Sequence, residues 1–150
     1  MSKSQNGVLV CWSLSIRKNI GDYIQSVAQK QFWDATDCYV EWENINSFES
    51  DNTTNIIMYG WFMIKPQNYP PSLSINPLYL SFYIDSRIEK KMMTQATIEH
   101  LKKYEPIGTR NTDTMRLLEN YSIKAYFNEC LTTMLCLKYG NEIKKQSPNL

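Results

Sequence analysis

The chain has 150 residues, 43% hydrophobic and 21% charged, the size and balance of one globular domain with its own core. Sixteen Lys and Arg against 15 Asp and Glu leave a formal charge of +1, too little for the field that nucleic acid or an anionic membrane would need, so no nucleic-acid partner is expected. The longest apolar run, 56–64, falls short of the ~20 residues that cross a bilayer, and no cleavable leader pattern is present, so no transmembrane segment and a cytoplasmic location are expected.

Residues 7–13 form a short continuous apolar run, the pattern of a strand buried on both faces. From there the apolar positions Ile20, Ile24, Val27, Ala28 and Phe32 mark one face of a helix, expected to turn inward. Asn19 suits its N-cap, and Asp22 falls in the first turn, where a carboxylate complements the helix dipole. Residues 38–42 have strand composition, and 43–55 read as a surface loop with room for a short helix at 45–49. A second buried strand, 55–60, ends on Gly60 and is followed by Trp61 and Phe62. Pro66, Pro70, Pro71 and Pro77 predict irregular structure over 65–77.

Residues 78–84 alternate weakly and are aromatic, a strand pattern. A helix over 94–104, with Ala96, Ile98 and Leu101 inward, is stopped by Pro106. Residues 107–109 make a very short strand with Arg110 at its end, and Asn111 or Thr112 caps a helix running through Asn120, with Met115, Leu117 and Leu118 apolar. Residues 123–127 are the last strand, 131–137 are apolar, and 138–150 are a polar tail. Strands alternating with helices at this spacing predict one α/β domain over 1–137: a Rossmann-like, mostly parallel sheet with helices on both faces.

Cys11, Cys38, Cys130 and Cys136 show no C-x-x-C spacing, so buried thiols are expected and neither a metal nor a cofactor is. In an open α/β sheet ligands bind beyond the carboxyl ends of the strands, which directs attention to the turn holding Arg17, Asn19, Gly21 and Asp22. Gly21 would permit close backbone approach, while Asn19 and Asp22 read equally well as a helix cap. Arg110, also at a strand end, is either an anion clamp or the partner of a neighbouring acid. His100, alone and mid-helix beside Glu99, reads as a surface residue.

Four separated segments resemble one family. Residues 19–26, opening Asn-Ile-Gly-Asp, are similar to the N-x-G-D start of polysaccharide pyruvyl transferases; Tyr59-Gly-Trp-Phe resembles their glycine-aromatic strand end; 104–110 with Thr112 and Thr114 resembles their glycine-x-arginine turn; and 125–132 resembles their strand leading into Cys-Leu-Thr. The similarity spans about 7–135 and covers only the N-terminal half of a two-domain, GT-B-type transferase. It implies transfer of pyruvyl from phosphoenolpyruvate to a sugar hydroxyl as a ketal, during surface polysaccharide modification. Asp22 and Arg110 would then be catalytic, and Arg17, Asn19, Gly21, Gly60, Trp61 and Thr109 would bind substrate. Asp22 would serve as a base or sugar-hydroxyl acceptor, and Trp61 would stack on a sugar unless it is core. A second α/β half or a homo-oligomer is an expected partner. The alternative is a truncated, non-catalytic module that binds carbohydrate or a protein partner. Asn111 and Glu129 depart from the family pattern, which has aspartate and a small residue there.

Overall fold

Six strand-forming runs pair into one sheet in the computed structural model, which describes residues 3–11, 19–60, 62, 64–137 and 140. Strands β1 (Ser4–Val10), β2 (Cys38–Glu41), β3 (Thr53–Gly60), β4 (Ile75–Phe82), β5 (Ile107–Thr109) and β6 (Ala125–Phe127) lie in the order β2-β1-β3-β4-β5-β6. Every pair runs parallel. Among the described residues four α-helices lie between them: α1 (Ile20–Lys30), α2 (Glu89–Met92), α3 (Gln95–Lys103) and α4 (Thr112–Asn120). The chain steps one way from β1 to β2 and the other way from β3 to β6, so right-handed crossovers place α1 on one face and α2–α4 on the opposite one. The expected Rossmann-like α/β fold is the one observed. The point where the strand order reverses lies between β1 and β3.

At that reversal the sheet opens. β1 pairs with β3 only from Ser4↔Thr53 to Asn6↔Asn55, while β1 stays paired with β2 over Gly7–Val10. The β3-facing backbone groups of Gly7 and Leu9 therefore need partners from elsewhere. α1 and β3 side chains supply them. Gln29 Oε1 accepts from Leu9 N at 2.8 Å, and Gln29 Nε2 donates to Gly7 O at 3.2 Å. Tyr59 Oη donates to Leu9 O at 2.6 Å, with Ser26 Oγ 3.0 Å from the same oxygen.

This requirement reverses the expected orientation of α1. Its sheet side carries Asp22, Gln25, Ala28 and Gln29, all buried. Of the apolar positions expected inward, only Ala28 is buried; Ile20 is 74% exposed, and Ile24, Val27 and Phe32 are exposed as well. A helix that must complete an interrupted ladder turns its amides inward and leaves its apolar stripe outside.

Other boundaries shift for local reasons. β1 begins at Ser4 rather than at residue 7, and the expected continuation to residue 13 lies largely outside the described residues, as does the tail apart from Gly140. The loop expected over 43–55 opens with a 3-10 turn, Trp42–Ser47. β4 starts at Ile75 and contains Pro77, inside the stretch expected to be irregular. Pro77 is tolerated because β4 pairs with β3 there, whereas its pairing with β5 is at Phe82↔Thr109. On α3 Thr97 and Leu101 are buried and Ile98 packs half-buried against the core, as expected of Ile98 and Leu101, while Ala96 is exposed. Cys11 is buried, but Cys38 and Cys130 are half-buried and Cys136 is exposed, so the thiols are not uniformly core.

Aromatic rings fill the core between the sheet and the α3 side: Trp42, Phe62, Tyr69, Phe82 and Tyr79 touch in that order. Gly60 is shaped by that cluster. Its φ of +103° suits only glycine, and a Cβ there would sit 2.9 Å from Trp42 Cε3. Gly60→Ala is expected to cost about 2–4 kcal/mol in urea denaturation, since it adds backbone strain to a clash in a close-packed core.

Candidate functional site

Beyond the strand ends, charged and polar side chains gather in a cleft of about 460 Å³ lined by Asn19, Gly21, Asp22, Gln25, Tyr83, Asp85, Arg87 and Arg110. These residues follow β1, β4 and β5, so the cleft sits on the carboxyl side of the sheet, next to the β1/β3 reversal.

The start of α1 builds one wall. Asn19 caps the helix, its Oδ1 accepting from Gly21 N at 3.0 Å, and the turn holds Asp22 against the sheet side. Burial pushes the Asp22 carboxyl up from its ordinary value, while the Arg110 cation and the Asn19 amide pull it back. One turn later stands Gln25. Only 6% of it is exposed; its Nε2 makes one long bond to Gly21 O at 3.4 Å, and its buried Oε1 has no partner among the described residues. An orphaned buried amide oxygen costs on the order of 1–3 kcal/mol. It is the kind of group a ligand donor would satisfy.

The opposite wall is made by a bulge. Met58 pairs with Tyr79 and Gly60 with Phe82, so β4 carries an extra residue at this point. Ser81 takes up the irregularity at φ +61°; its N–H donates to Asn128 Oδ1 at 3.0 Å and its Oγ donates to the Glu129 carbonyl at 2.7 Å. The bulge buries Phe82 and releases Tyr83 to the cleft. Arg110 leaves β5 beside it, anchored by its own N–H to Phe82 O at 2.9 Å, with its guanidinium 4.5 Å from the centre of the Tyr83 ring. Asp85 is bound in a fork by Arg87, Nε at 2.8 Å and Nη2 at 2.7 Å, which holds its carboxyl well below the usual carboxylate range.

The fold thus brings together Asn19, Gly21, Asp22 and Arg110, four of the residues singled out in the sequence. Gly60 and Thr109 are elsewhere. Gly60 makes room for Trp42, and Thr109 is buried with its Oγ1 3.1 Å from both the Asn111 and Tyr126 carbonyl oxygens. Arg17 and Trp61 lie outside the described residues. Gln25, Tyr83, Asp85 and Arg87 were not anticipated. Strand-end position could have signalled the last three, but a strand read through to residue 84 hid Tyr83. Asn111, where the family pattern has aspartate, caps α4 by accepting from Thr114 N at 3.0 Å. The Glu129 carbonyl supports the bulge.

Among the described residues no group of His, Cys, Asp and Glu side chains has the arrangement of a metal site, and no helix is long and apolar enough to cross a membrane. Burial pushes the Cys11 thiol up to about 12, so at neutral pH it is protonated and a poor nucleophile. Comparison of the chain with protein-family models, with curated proteins and with solved structures found no match.

Proposed function

We propose that this chain is the acceptor-side half of a polysaccharide pyruvyl transferase-like protein, working on phosphoenolpyruvate and a sugar in the cleft between α1 and the ends of β4 and β5. The observation that carries the reading is the meeting of Arg110, Asp22 and the Gln25 Oε1, which has no partner among the described residues, in one cleft. Arg110 supplies a planar cation for a carboxylate or phosphate, steadied by the Tyr83 ring. Asp22 is the proton acceptor for a sugar hydroxyl, its basicity raised by burial. In the reaction a proton adds to the methylene carbon of phosphoenolpyruvate and one sugar oxygen bonds to its C2. A second sugar oxygen then replaces phosphate, leaving a methyl ketal and inorganic phosphate.

Titration of phosphoenolpyruvate into the purified chain, followed by calorimetry, tests the binding step. Saturable binding is expected, with Arg110→Ala weakening it at least about 10-fold, the size of one lost charge-assisted contact. Asp22→Asn should retain phosphoenolpyruvate and lose turnover. Equal affinity of the Arg110→Ala variant and the native chain would remove Arg110 from the site.

The exposed stripe of Ile20, Ile24 and Val27 beside the cleft favours a second reading, a non-catalytic module. Self-association abolished by Ile24→Ser, together with no binding of phosphoenolpyruvate or sugars, would select it.

A further inference from the structure

A second cavity, of about 310 Å³, lies at the opposite end of the sheet. Its walls come from Pro70, Pro71, Leu73 and Ile75, which lead into β4, and from His100, Lys103 and Tyr104 at the close of α3. One wall is apolar and the other holds an imidazole, an ammonium and an aromatic ring.

The imidazole is wired into the core. His100 Nε2 lies 2.8 Å from Tyr79 Oη, and Tyr79 Oη is hydrogen-bonded in turn to Tyr69 Oη. Tyr69 and Tyr79 are 4% and 1% exposed, and burial keeps both phenols protonated. Among the described residues Tyr69 Oη has no other partner. If His100 donated, each hydroxyl would donate onward and the Tyr69 proton would be buried without an acceptor. If Tyr69 donates to Tyr79 and Tyr79 to Nε2, every group is satisfied. The chain therefore runs inward-out and ends on an unprotonated Nε2. A neutral ring accepting at Nε2 must carry its proton on Nδ1. Among the described residues nothing bonds Nδ1, and Nδ1 is not one of the buried atoms left without a partner, so its N–H is accessible on the ring that lines the cavity.

We propose that this cavity is a binding site for a small monocarboxylate with an apolar body, its carboxylate accepting from His100 Nδ1–H and facing the Lys103 ammonium. The proline and leucine wall and Tyr104, whose ring centre is 4.9 Å from that of His100, take the apolar part. Lys103 Nζ sits 5.0 Å from the Tyr104 ring centre, at the mouth. Glu99 also lines the cavity, its Oε1 accepting from Gln95 Nε2 at 2.8 Å, and its charge disfavours a second carboxylate on the ligand. The site takes a monoanion and is separate from the cleft at the strand ends.

Long-range proton–nitrogen spectra of the histidine ring, recorded at pH 7 with and without benzoate, test it. The expected result is a protonated Nδ1 and a bare Nε2 in the free protein, with saturable benzoate-induced shifts at His100 that benzamide does not reproduce. Tyr79→Phe, which frees the ring to change tautomer, and Lys103→Ala, at an exposed position, should each weaken benzoate several-fold, while Arg110→Ala should not. A proton on Nε2, equal response to benzamide, or a Lys103→Ala variant binding benzoate as well as the native chain would overturn the proposal. The tautomer measurement and the Lys103 variant stand even if Tyr79→Phe fails to fold.

Discussion

Gln29→Leu is expected to destabilise the chain by about 2–5 kcal/mol, the cost of leaving buried backbone groups without partners. The change looks favourable by ordinary criteria, since Gln29 is 0% exposed and leucine is both apolar and a good helix former. What it removes is the amide that bonds both Leu9 N and Gly7 O, where β1 has parted from β3. Leucine would fill the space and satisfy neither group. On the outer stripe the sign changes. Ile24→Gln and Val27→Gln, at exposed apolar positions, should alter stability by no more than about 0.5 kcal/mol. Urea denaturation of the three variants checks both statements. A destabilising Ile24→Gln alongside a neutral Gln29→Leu would mean that α1 sits the other way round.

Between pH 6.5 and about 4, the chain is expected to lose about 1–2 kcal/mol of stability through His100 alone, the 1.36 kcal/mol carried by each unit of pKa difference discounted for solvent screening of a half-buried ring. Burial is the main cause and the nearby Lys103 cation the second; together they lower the imidazole from 6.5 to about 4. The unfolded chain then binds a proton at a pH where the folded chain does not. Stability from this group is complete above pH 6.5, falls as the pH drops below that, and is gone once the folded imidazole has titrated at about 4. Protonation would also reverse the hydrogen bond to Tyr79 and strand the Tyr69 proton. Glu99 at the cavity wall and Lys103 are the other charged groups facing the ring. Chemical denaturation of the native chain and of His100→Gln, compared at pH 7 and pH 4.5, isolates the effect: the difference between them should shrink as the pH falls. A difference that stays constant would show that His100 titrates as a surface histidine.

Much of the architecture is local and legible in the residues. The side chains of Asn19, Thr94 and Asn111 each accept from a backbone N–H two or three residues ahead, so helix starts can be read from short-range chemistry. Alternation of strand and helix patterns likewise specifies a parallel sheet, because parallel strands need crossovers. Asp22 and Arg110 could be placed near one another because both follow predicted strands, and strand ends gather on one side of such a sheet.

What the sequence could not decide depends on partners distant along the chain. An amphipathic pattern defines two faces of α1 without saying which one turns inward. The answer lay in the β1–β3 ladder, which stops at Asn6 and needs amides more than methyl groups. His100 reads as a surface residue from its mid-helix place beside Glu99 with no Cys or Ser motif nearby; Tyr79, 21 residues away, makes it the end of a buried hydrogen-bond chain. Tyr83 enters the cleft only because a bulge at Ser81, tied to Asn128 and Glu129, turns the end of β4. Residue identity determined the elements, their caps and the side of the sheet where a ligand would bind. The tertiary structure decided which face of each element meets which neighbour, because unpaired backbone groups and close packing are satisfied only by residues the fold brings from far away.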